Sequence, residues 1–132
     1  MSDAGKDKIH LIDTNIILRF LLNDHNEHSP KASNFMTKIS RDELKADILE
    51  SVLLECIYVL EKYYEIPRPE IVDRLSQILN FQGIANTNKA TLLSALFNYQ
   101  KFRIDFVDCL LAAYSETNTV VVSFDKDFEK LS

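Results

Sequence analysis

Four acidic residues lie within or directly after strongly apolar runs of the sequence, and their carboxylates are the best candidates for chemistry. Asp13 and Asp125 each follow such a run, whereas Glu55 and Asp108 each interrupt one. A carboxylate among residues that a fold must bury costs several kcal/mol unless its charge is compensated. The nearest basic residues stand only at the edges of these runs. A hard divalent cation bound by carboxylate oxygens would compensate several of these acids at once.

The predicted elements bring these acids to one place. Residues 9–12 form a short apolar run typical of a buried strand that ends at Asp13, and residues 16–22 have the apolar density of a helix packed on a sheet. Open α/β sheets keep their ligand crevices at the carboxyl ends of the strands. Asp125 follows another predicted strand, and Asp108 falls in the first turn of a predicted helix, where the dipole favours a negative charge. We therefore expect these acids at one edge of a parallel sheet.

Each acid also has a structural interpretation that requires no ligand. Asp13 could simply cap the helix that follows it, and Glu55 could reach solvent from a narrow polar stripe of its helix. Asp105 and Asp108 could be a helix cap and a first-turn acid, and for Asp105 we favour the cap. One shared site nevertheless explains the four acids more simply than four separate coincidences.

The remaining elements alternate short apolar strands with longer helices, which predicts a parallel sheet covered by helices on both faces. We expect an α/β fold, a three-layer α/β/α sandwich with a short central parallel sheet, in which the strand from Ile9 is central. Strands are predicted at residues 9–12, 46–49, 81–85 and 119–124, the last with three consecutive valines. Helices are predicted after Asp13, from Ser29-Pro30, after a Ser51 cap to about residue 64, from Pro67, after an Asn88 cap, after Asp105, and briefly after Asp125.

The composition indicates one soluble globular domain. The 132 residues, 46% of them hydrophobic, suffice for one core and leave no room for a second domain. We expect residues 1–7 to be a polar leader and residues 8–132 to be a single domain, with no run long enough for a membrane span. Cys56 and Cys109 lie in apolar helical runs, which is typical of buried free thiols in a reducing compartment. This pattern predicts a cytoplasmic protein.

Glycine content and net charge exclude several classes of function. With only two glycines, Gly5 and Gly83, the chain cannot build a glycine-rich phosphate loop or a dinucleotide fingerprint, which excludes P-loop NTPases and Rossmann dehydrogenases. The net charge of −5 argues against binding nucleic acid by bulk electrostatics. Leaving five acids out of the count raises the formal charge from −5 to 0, and these are Asp13, Glu55, Asp108, Asp125 and Asp127. The remaining surface therefore need not repel nucleic acid.

Four ordered motifs carry a resemblance to a known family. They are Ile-Asp-Thr-Asn at 12–15, Leu-Glu-Cys-Ile-Tyr-Val-Leu at 54–60, Asp-Phe-Val-Asp-Cys-Leu-Leu-Ala-Ala at 105–113, and Val-Val-Ser-Phe-Asp-Lys-Asp-Phe at 121–128. Each motif alone is weak, but the ordered set resembles a PIN domain, and more narrowly the VapC-type toxins of prokaryotic toxin–antitoxin pairs. The resemblance extends from Ile9 to Leu131.

The resemblance implies an activity and roles for named residues. In that family the acids that correspond to Asp13, Glu55, Asp108 and Asp125 form a Mg²⁺ or Mn²⁺ site that hydrolyses RNA, and Asp127 would be an auxiliary ligand. Polar residues beside the site would orient carboxylates or water, and these are Thr14, Asn15 and Ser123. Basic residues that would contact RNA phosphates are Arg19, Lys62, Arg103 and Lys126. For any one of these four, a solvated helix or loop end is an equally good interpretation.

The resemblance also implies partners and one departure from the family pattern. RNA is the expected substrate, a cognate antitoxin protein is the expected partner, and no membrane is expected. A homodimer is expected from the resemblance and from an aromatic surplus at Tyr58, Tyr63, Tyr64 and Phe97, although these rings could also be core residues. Family members commonly continue into a further short strand, whereas this sequence stops at Ser132. We expect that edge strand to be missing or supplied by a partner.

Two other classes of protein compete with a nuclease. An aspartate-based phosphotransfer domain would use Asp13 as its nucleophile, but such enzymes typically place a second Asp two residues later, where this chain has Asn15. That class also gives no role to Glu55. A catalytically silent module with the same fold would bind RNA or protein without cleavage. The complete set of four acids counts against it, and a metal-binding titration separates the two.

Overall fold

A computed structural model describes residues 8–116 and 119–124 of the chain. The leader predicted at residues 1–7, the helix predicted after Asp125, and the side chains of Asp125, Lys126 and Asp127 lie outside the described residues. In order, the elements are β1 (Ile9–Leu11), α1 (Thr14–Leu22), α2 (His28–Ser40), β2 (Lys45–Asp47), α3 (Glu50–Tyr58), a π-helical segment (Val59–Tyr63), α4 (Arg68–Leu79), α5 (Lys89–Phe102) and α6 (Phe106–Ser115). The fold is mostly helical around a short parallel sheet, as the alternation of strands and helices predicts.

The described sheet has β1 at its edge, which corrects the expectation that this strand is central. Among the described residues β1 pairs with β2 alone, in parallel and with Leu11 opposite Asp47. The far side of β2 forms a single parallel bridge from Ala46 to Ile84, so the strand predicted at 81–85 is reduced to one bridge. Residues 119–124 are described but form no strand, although their sequence favours one. Strand formation depends on a neighbouring backbone, which the local sequence does not specify.

The burial of the β1 side chains also differs from the prediction. Ile12 is buried, but Ile9 and Leu11 are 48% and 64% exposed, so the expectation of a fully buried strand is wrong for these two side chains. His10, which points to the other face, is half-buried and lies edge-on to the ring of Phe35. Half of the strand is therefore covered by helix α2, and half is open in the described part of the chain.

One close approach of backbones holds β2 against the end of α2. The Gly83 N–H donates to the Ile39 carbonyl at 2.8 Å, and the Ala46 N–H donates to the Gly83 carbonyl at 2.8 Å. A Cβ atom at position 83 would lie 2.2 Å from the Leu44 carbonyl oxygen and 2.6 Å from that of Ile39. Because both neighbours are backbone atoms, only glycine fits here.

Helix starts follow the predictions except at α3. Proline opens α4, Asp105 is the N-cap of α6, and Asp13 is the N-cap of α1. At α3 the N-cap is Leu49 and not Ser51, because the extended Leu49 backbone already accepts hydrogen bonds from the N–H groups of residues 52 and 53. The predicted Ser51 cap is therefore wrong, and Ser51 lies exposed in the first turn.

The core is continuous and apolar, and both cysteines lie in it as free thiols, as predicted. Of the four aromatic residues that could have been core, Tyr58, Tyr63, Tyr64 and Phe97, all are exposed. None of the helices in the described ranges is both long enough and apolar enough to cross a membrane.

Candidate active site

Asp13 lies between β1 and α1 and is exposed to solvent. Its backbone is extended, and its carboxylate accepts a hydrogen bond from the Thr14 N–H at 2.8 Å. Thr14 is buried, and the neighbouring Asn15 is exposed and lines a cleft between α1 and α2. Asp13 is therefore a helix cap, as the structural interpretation predicts, and it lies exposed beyond the carboxyl end of the strand.

Glu55 lies on the exposed side of α3, directly before the buried Cys56. Burial, followed by the negative charges of Glu55 and Asp13, raises the pKa of the Cys56 thiol to about 12. Since both carboxylates act on the same thiol, two of the four predicted acids lie on the same side of the molecule. A thiol with so high a pKa is protonated at neutral pH and is not a nucleophile.

Asp108 lies in the first turn of α6, as predicted, and is half-buried. Burial raises the pKa of the adjacent Cys109 thiol to about 11, with the Arg68 charge lowering it and the charges of Asp108 and Asp105 raising it. The Asp105 side chain makes no capping hydrogen bond, although its backbone is the N-cap of the helix. Both acids line a groove of about 540 Å³ between the start of α6 and the end of α3.

The other wall of this groove contains Glu61, which was not among the predicted site residues. Its carboxylate accepts a short hydrogen bond from the Tyr99 hydroxyl and lies 3.4 Å from the Arg68 guanidinium and 3.7 Å from the Lys62 ammonium. Burial alone would raise the pKa of Glu61, but the Tyr99 hydrogen bond and the charges of Arg68 and Lys62 outweigh it and lower the pKa. Burial and then Glu61 raise the pKa of Tyr99. Glu61 is therefore ionised at neutral pH.

Arg68 fixes the geometry of this wall. Its guanidinium donates to the carbonyls of Tyr99 at 2.9 Å and Ile104 at 3.0 Å, which lie at the end of α5 and in the following loop. The same group stacks over the Tyr99 ring at 4.1 Å from the centroid. Because Arg68 and Glu61 are seven residues apart and Tyr99 is much further along the chain, no local pattern in the sequence could reveal this network.

A second polar cluster was also not predicted from the sequence. The Glu50 carboxylate accepts a short hydrogen bond from the Tyr114 hydroxyl and another from the Asn88 amide at 3.1 Å. The hydrogen bond to Glu50 is the main cause that raises the pKa of Tyr114. Asn88 is thus the N-cap of α5 by position, but its side chain joins α5 to α3 and α6 and does not cap its own helix.

This second cluster borders a cleft of about 620 Å³ at the carboxyl end of β2. Asn86 closes one side, since its amide both accepts from the Ile48 N–H and donates to the Ile48 carbonyl, each at 2.8 Å. Oδ1 of Asp47 is buried there and has no hydrogen-bond partner among the described residues. Asp47 is the last residue of β2, whereas Asp13 lies two residues after β1, so both acids are near the carboxyl ends of paired strands.

The predicted RNA-contacting residues are dispersed. Arg19 lies beside Asn15 in the cleft between α1 and α2 and forms an ion pair with Asp24 at 2.8 Å. Lys62 lines the groove that contains Asp108, and Arg103 is exposed at the end of α5. Lys126 lies outside the described residues.

The donor chemistry of the acids fits a hard divalent cation. Asp13 and Glu55 present carboxylate oxygens on one side of the molecule, and carboxylate oxygens suit Mg²⁺ or Mn²⁺ better than they suit softer metals. Within residues 8–116 and 119–124, however, no three His, Cys, Asp or Glu side chains are grouped in a way that could hold a metal ion. Asp125 and Asp127 lie outside those ranges, and of the polar neighbours Ser123 is exposed.

Comparisons with known proteins agree with this reading of the fold. The model of the PIN domain family matches residues 10–132 of the chain. The chain is also 30% identical over 123 residues to a VapC ribonuclease from Aquifex aeolicus (strain VF5), a match that covers 92% of this chain and 90% of that protein. No solved structure matches the chain significantly. Because the family model spans almost the whole sequence and the predicted α/β fold is confirmed, this chain belongs to the PIN domain family.

Proposed function

We propose that the chain is a metal-dependent endoribonuclease that hydrolyses RNA phosphodiesters and acts as the toxin of a toxin–antitoxin pair. The observation that carries this proposal is the likeness to a VapC ribonuclease along almost the entire chain. The order of acids at positions 13, 55, 108 and 125 agrees with it, because these residues match the motifs of the resemblance.

Asp13, Glu55, Asp108 and Asp125 would hold Mg²⁺ or Mn²⁺, with Asp127 as an auxiliary ligand. A divalent cation bound there supplies positive charge beside the phosphoryl oxygens and lowers the pKa of the attacking water. The Thr14 N–H holds one oxygen of Asp13 and so fixes the orientation of its carboxylate. Asn15 in α1 and Ser123 within the motif at 121–128 are the polar side chains that would orient water or the substrate.

The RNA backbone would be held by a few basic side chains at the rim and not by a broad basic surface. Lys62 lines the groove of Asp108, and Arg19 lies on α1 six residues after Asp13. Arg103 and Lys126 would contact more distant phosphates. A net charge of −5 gives the protein no bulk attraction for nucleic acid, so the local cations and the bound metal would have to supply that attraction.

The proposed function includes a protein partner and a cytoplasmic location. A toxin of this kind requires a cognate antitoxin, and the two buried free thiols are typical of a reducing compartment. A homodimer is part of the same proposal. Tyr63 and Phe97 are 78% and 58% exposed, and aromatic residues are enriched at protein interfaces.

The test incubates purified protein with structured RNA in the presence of Mn²⁺, beside an EDTA control and the Asp13→Asn and Asp108→Asn variants. We expect cleavage by the wild-type protein with metal and no cleavage in the other samples. Cleavage that survives chelation and both substitutions would contradict the site assignment. Metal binding without cleavage of any RNA would identify a catalytically silent PIN module.

A further inference from the structure

The groove beside Asp108 has a composition that suits a nucleobase. One wall is apolar, with Phe106 buried and Val107 47% exposed, and the opposite wall presents the ring of Tyr58, which is 64% exposed. The floor between them carries the Glu61 carboxylate and the Tyr99 hydroxyl. A planar aromatic ring can stack on Tyr58 and leave its polar edge toward Glu61.

The charges of the groove exclude a phosphate and favour a neutral group with hydrogen-bond donors. Three carboxylates line it, those of Glu61, Asp105 and Asp108, against the single ammonium of Lys62. Lys62 is itself exposed and stands at the rim. The phosphate of a nucleotide would therefore lie outside, near Lys62, while the base occupies the groove.

We propose that this groove binds one base of the RNA substrate, stacked on Tyr58, and that Glu61 selects guanine at this position. The inference rests on the proposed ribonuclease function. The groove begins at Asp108, so the bound base belongs to a nucleotide next to the phosphodiester that is cut. Proteins commonly recognise single-stranded RNA in this way, with unstacked bases on aromatic rings and hydrogen bonds to their Watson–Crick edges.

Guanine follows from the donors and acceptors. The ionised Glu61 carboxylate only accepts hydrogen bonds, with Tyr99 donating to Oε1 and Arg68 to Oε2. Each carboxylate oxygen has two lone pairs, so each can accept one further hydrogen bond. On the Watson–Crick edge, guanine alone among the four bases carries a ring N–H and an amino group side by side, which donate to the two oxygens together. Adenine and cytosine offer an acceptor next to their amino group, and uracil places its N–H between two carbonyls.

The π-helical segment forms the part of the groove that contains Glu61. It directs Glu61 toward Tyr99 and Arg68 while Leu60 stays in the core, and π-helical turns within α-helices occur frequently at functional sites. Arg68 holds both Tyr99 and Glu61 in place before any ligand binds. The acceptor is thus preorganised, which reduces the entropy lost on binding.

The experiment maps cleavage sites on a random RNA pool and then measures rates on oligomers that differ only at the selected position. We expect cleavage next to guanine, and about a tenfold loss of kcat/KM when inosine, which lacks the amino group, replaces it. Tyr58→Ala should lower the rate about tenfold or more, whereas Tyr58→Phe, which keeps the ring, should retain both rate and preference. Glu61→Gln should shift the preference from guanine toward adenine and cytosine, because an amide offers one donor and one acceptor and both bases place an acceptor beside their amino group.

Several results would overturn the proposal. One is a base preference that is unchanged in Tyr58→Ala and Glu61→Gln, and another is equal rates with guanine and inosine. A Tyr58→Ala variant that becomes monomeric but keeps its base preference would assign the ring to an interface between copies. If the wild-type protein cuts no RNA, the proposed function fails separately. The groove is then tested by fluorescence anisotropy in EDTA, where guanine oligomers must bind the wild type more tightly than inosine oligomers and more tightly than they bind Tyr58→Ala.

Discussion

At the scale of the single residue, Asp13 combines a capping role with the proposed role as a metal ligand, and two substitutions separate them. Asparagine caps a helix as well as aspartate does, whereas alanine does not. We expect both Asp13→Asn and Asp13→Ala to abolish cleavage. Only Asp13→Ala should also lose about 1 kcal/mol of unfolding free energy, through loss of the bond to the Thr14 N–H.

Chemical denaturation of the two variants, beside the wild type, measures this difference. Asp13→Asn removes one of the carboxylates that are proposed to share the site and so relieves their mutual repulsion. Without metal we therefore expect it to be at least as stable as the wild type. Equal destabilisation by both substitutions would mean that the carboxylate charge, and not the cap, stabilises the fold. The loss of cleavage in Asp13→Asn would then no longer be separable from a loss of folded protein.

Glu61 makes a second prediction at this scale, on the pH dependence of stability. The pKa of Glu61 is lower in the folded protein than its ordinary value of 4.5, so the folded state binds its proton less readily than the unfolded state does. The stabilisation that the ionised Glu61 contributes is complete at a pH above its ordinary pKa. It is lost as the pH falls through the pKa that Glu61 has in the folded protein. We expect the unfolding free energy of Glu61→Gln to fall less between about pH 5 and about pH 3 than that of the wild type.

Thermal or urea unfolding across this pH range measures the effect, and Glu43→Gln is a matched control because Glu43 is exposed. The control should follow the wild-type curve. If the unfolding free energy of Glu61→Gln falls as steeply with decreasing pH as that of the wild type, the Tyr99 and Arg68 contacts do not favour the ionised carboxylate.

At the scale of the elements, the tight approach at Gly83 fixes how β2 meets α2. Since a Cβ would collide with the carbonyls of Leu44 and Ile39, Gly83→Ala must move backbone and should lose about 1–3 kcal/mol of unfolding free energy. Ser51→Ala is the matched control, because Ser51 is exposed and is not the cap of α3, and it should change stability by less than about 0.5 kcal/mol. A loss of about 1 kcal/mol of unfolding free energy in Ser51→Ala would instead show that Ser51 caps α3, as the sequence predicts.

The elements also explain what the sequence could predict. Helix starts at Asp13, Pro67 and Asp105 depend on local chemistry and are correct. The cap of α3 is wrong because Leu49, which has no capping side chain, adopts the extended backbone that a cap requires. Strand pairing depends on distant residues, so the apolar pattern of 119–124 favours a strand that the described structure lacks.

The same difference between local and distant signals explains which residues of the candidate site could be predicted. Asp13, Glu55 and Asp108 were recognisable because each acid interrupts or ends an apolar run, which is visible in a short window. Glu61 and Glu50 were missed because what distinguishes them is a tyrosine 38 or 64 residues away. The π-helical segment gives no local signal either, since its residues would suit an ordinary helix equally well.

At the scale of the whole molecule, the exposed aromatic residues bear on assembly. Tyr63 and Phe97 lie on neighbouring elements, since α5 and the π-helical segment are joined by the bond from Tyr99 to Glu61. We expect a homodimer in light scattering, and we expect Tyr63→Ser combined with Phe97→Ser to shift it to a monomer at micromolar concentration. Gln82→Ala, at an exposed turn beside β2, should leave the dimer intact. A wild-type monomer at that concentration would remove the dimer from the proposed function.

Metal binding and folding must be linked in the whole molecule if the acids hold a cation. A ligand that binds only the folded state adds RT ln(1 + [L]/Kd) to its stability, about 2.7 kcal/mol at a hundred times Kd. We expect the melting temperature of the wild type to rise steadily with Mn²⁺ and with Mg²⁺, and we expect no rise for Asp108→Asn. Asp105→Asn, an acid in the same groove that is not among the proposed ligands, should respond as the wild type does. This measurement needs no RNA, so it tests the metal site even if the substrate is wrong. If Asp108→Asn keeps the full rise, the cation binds elsewhere.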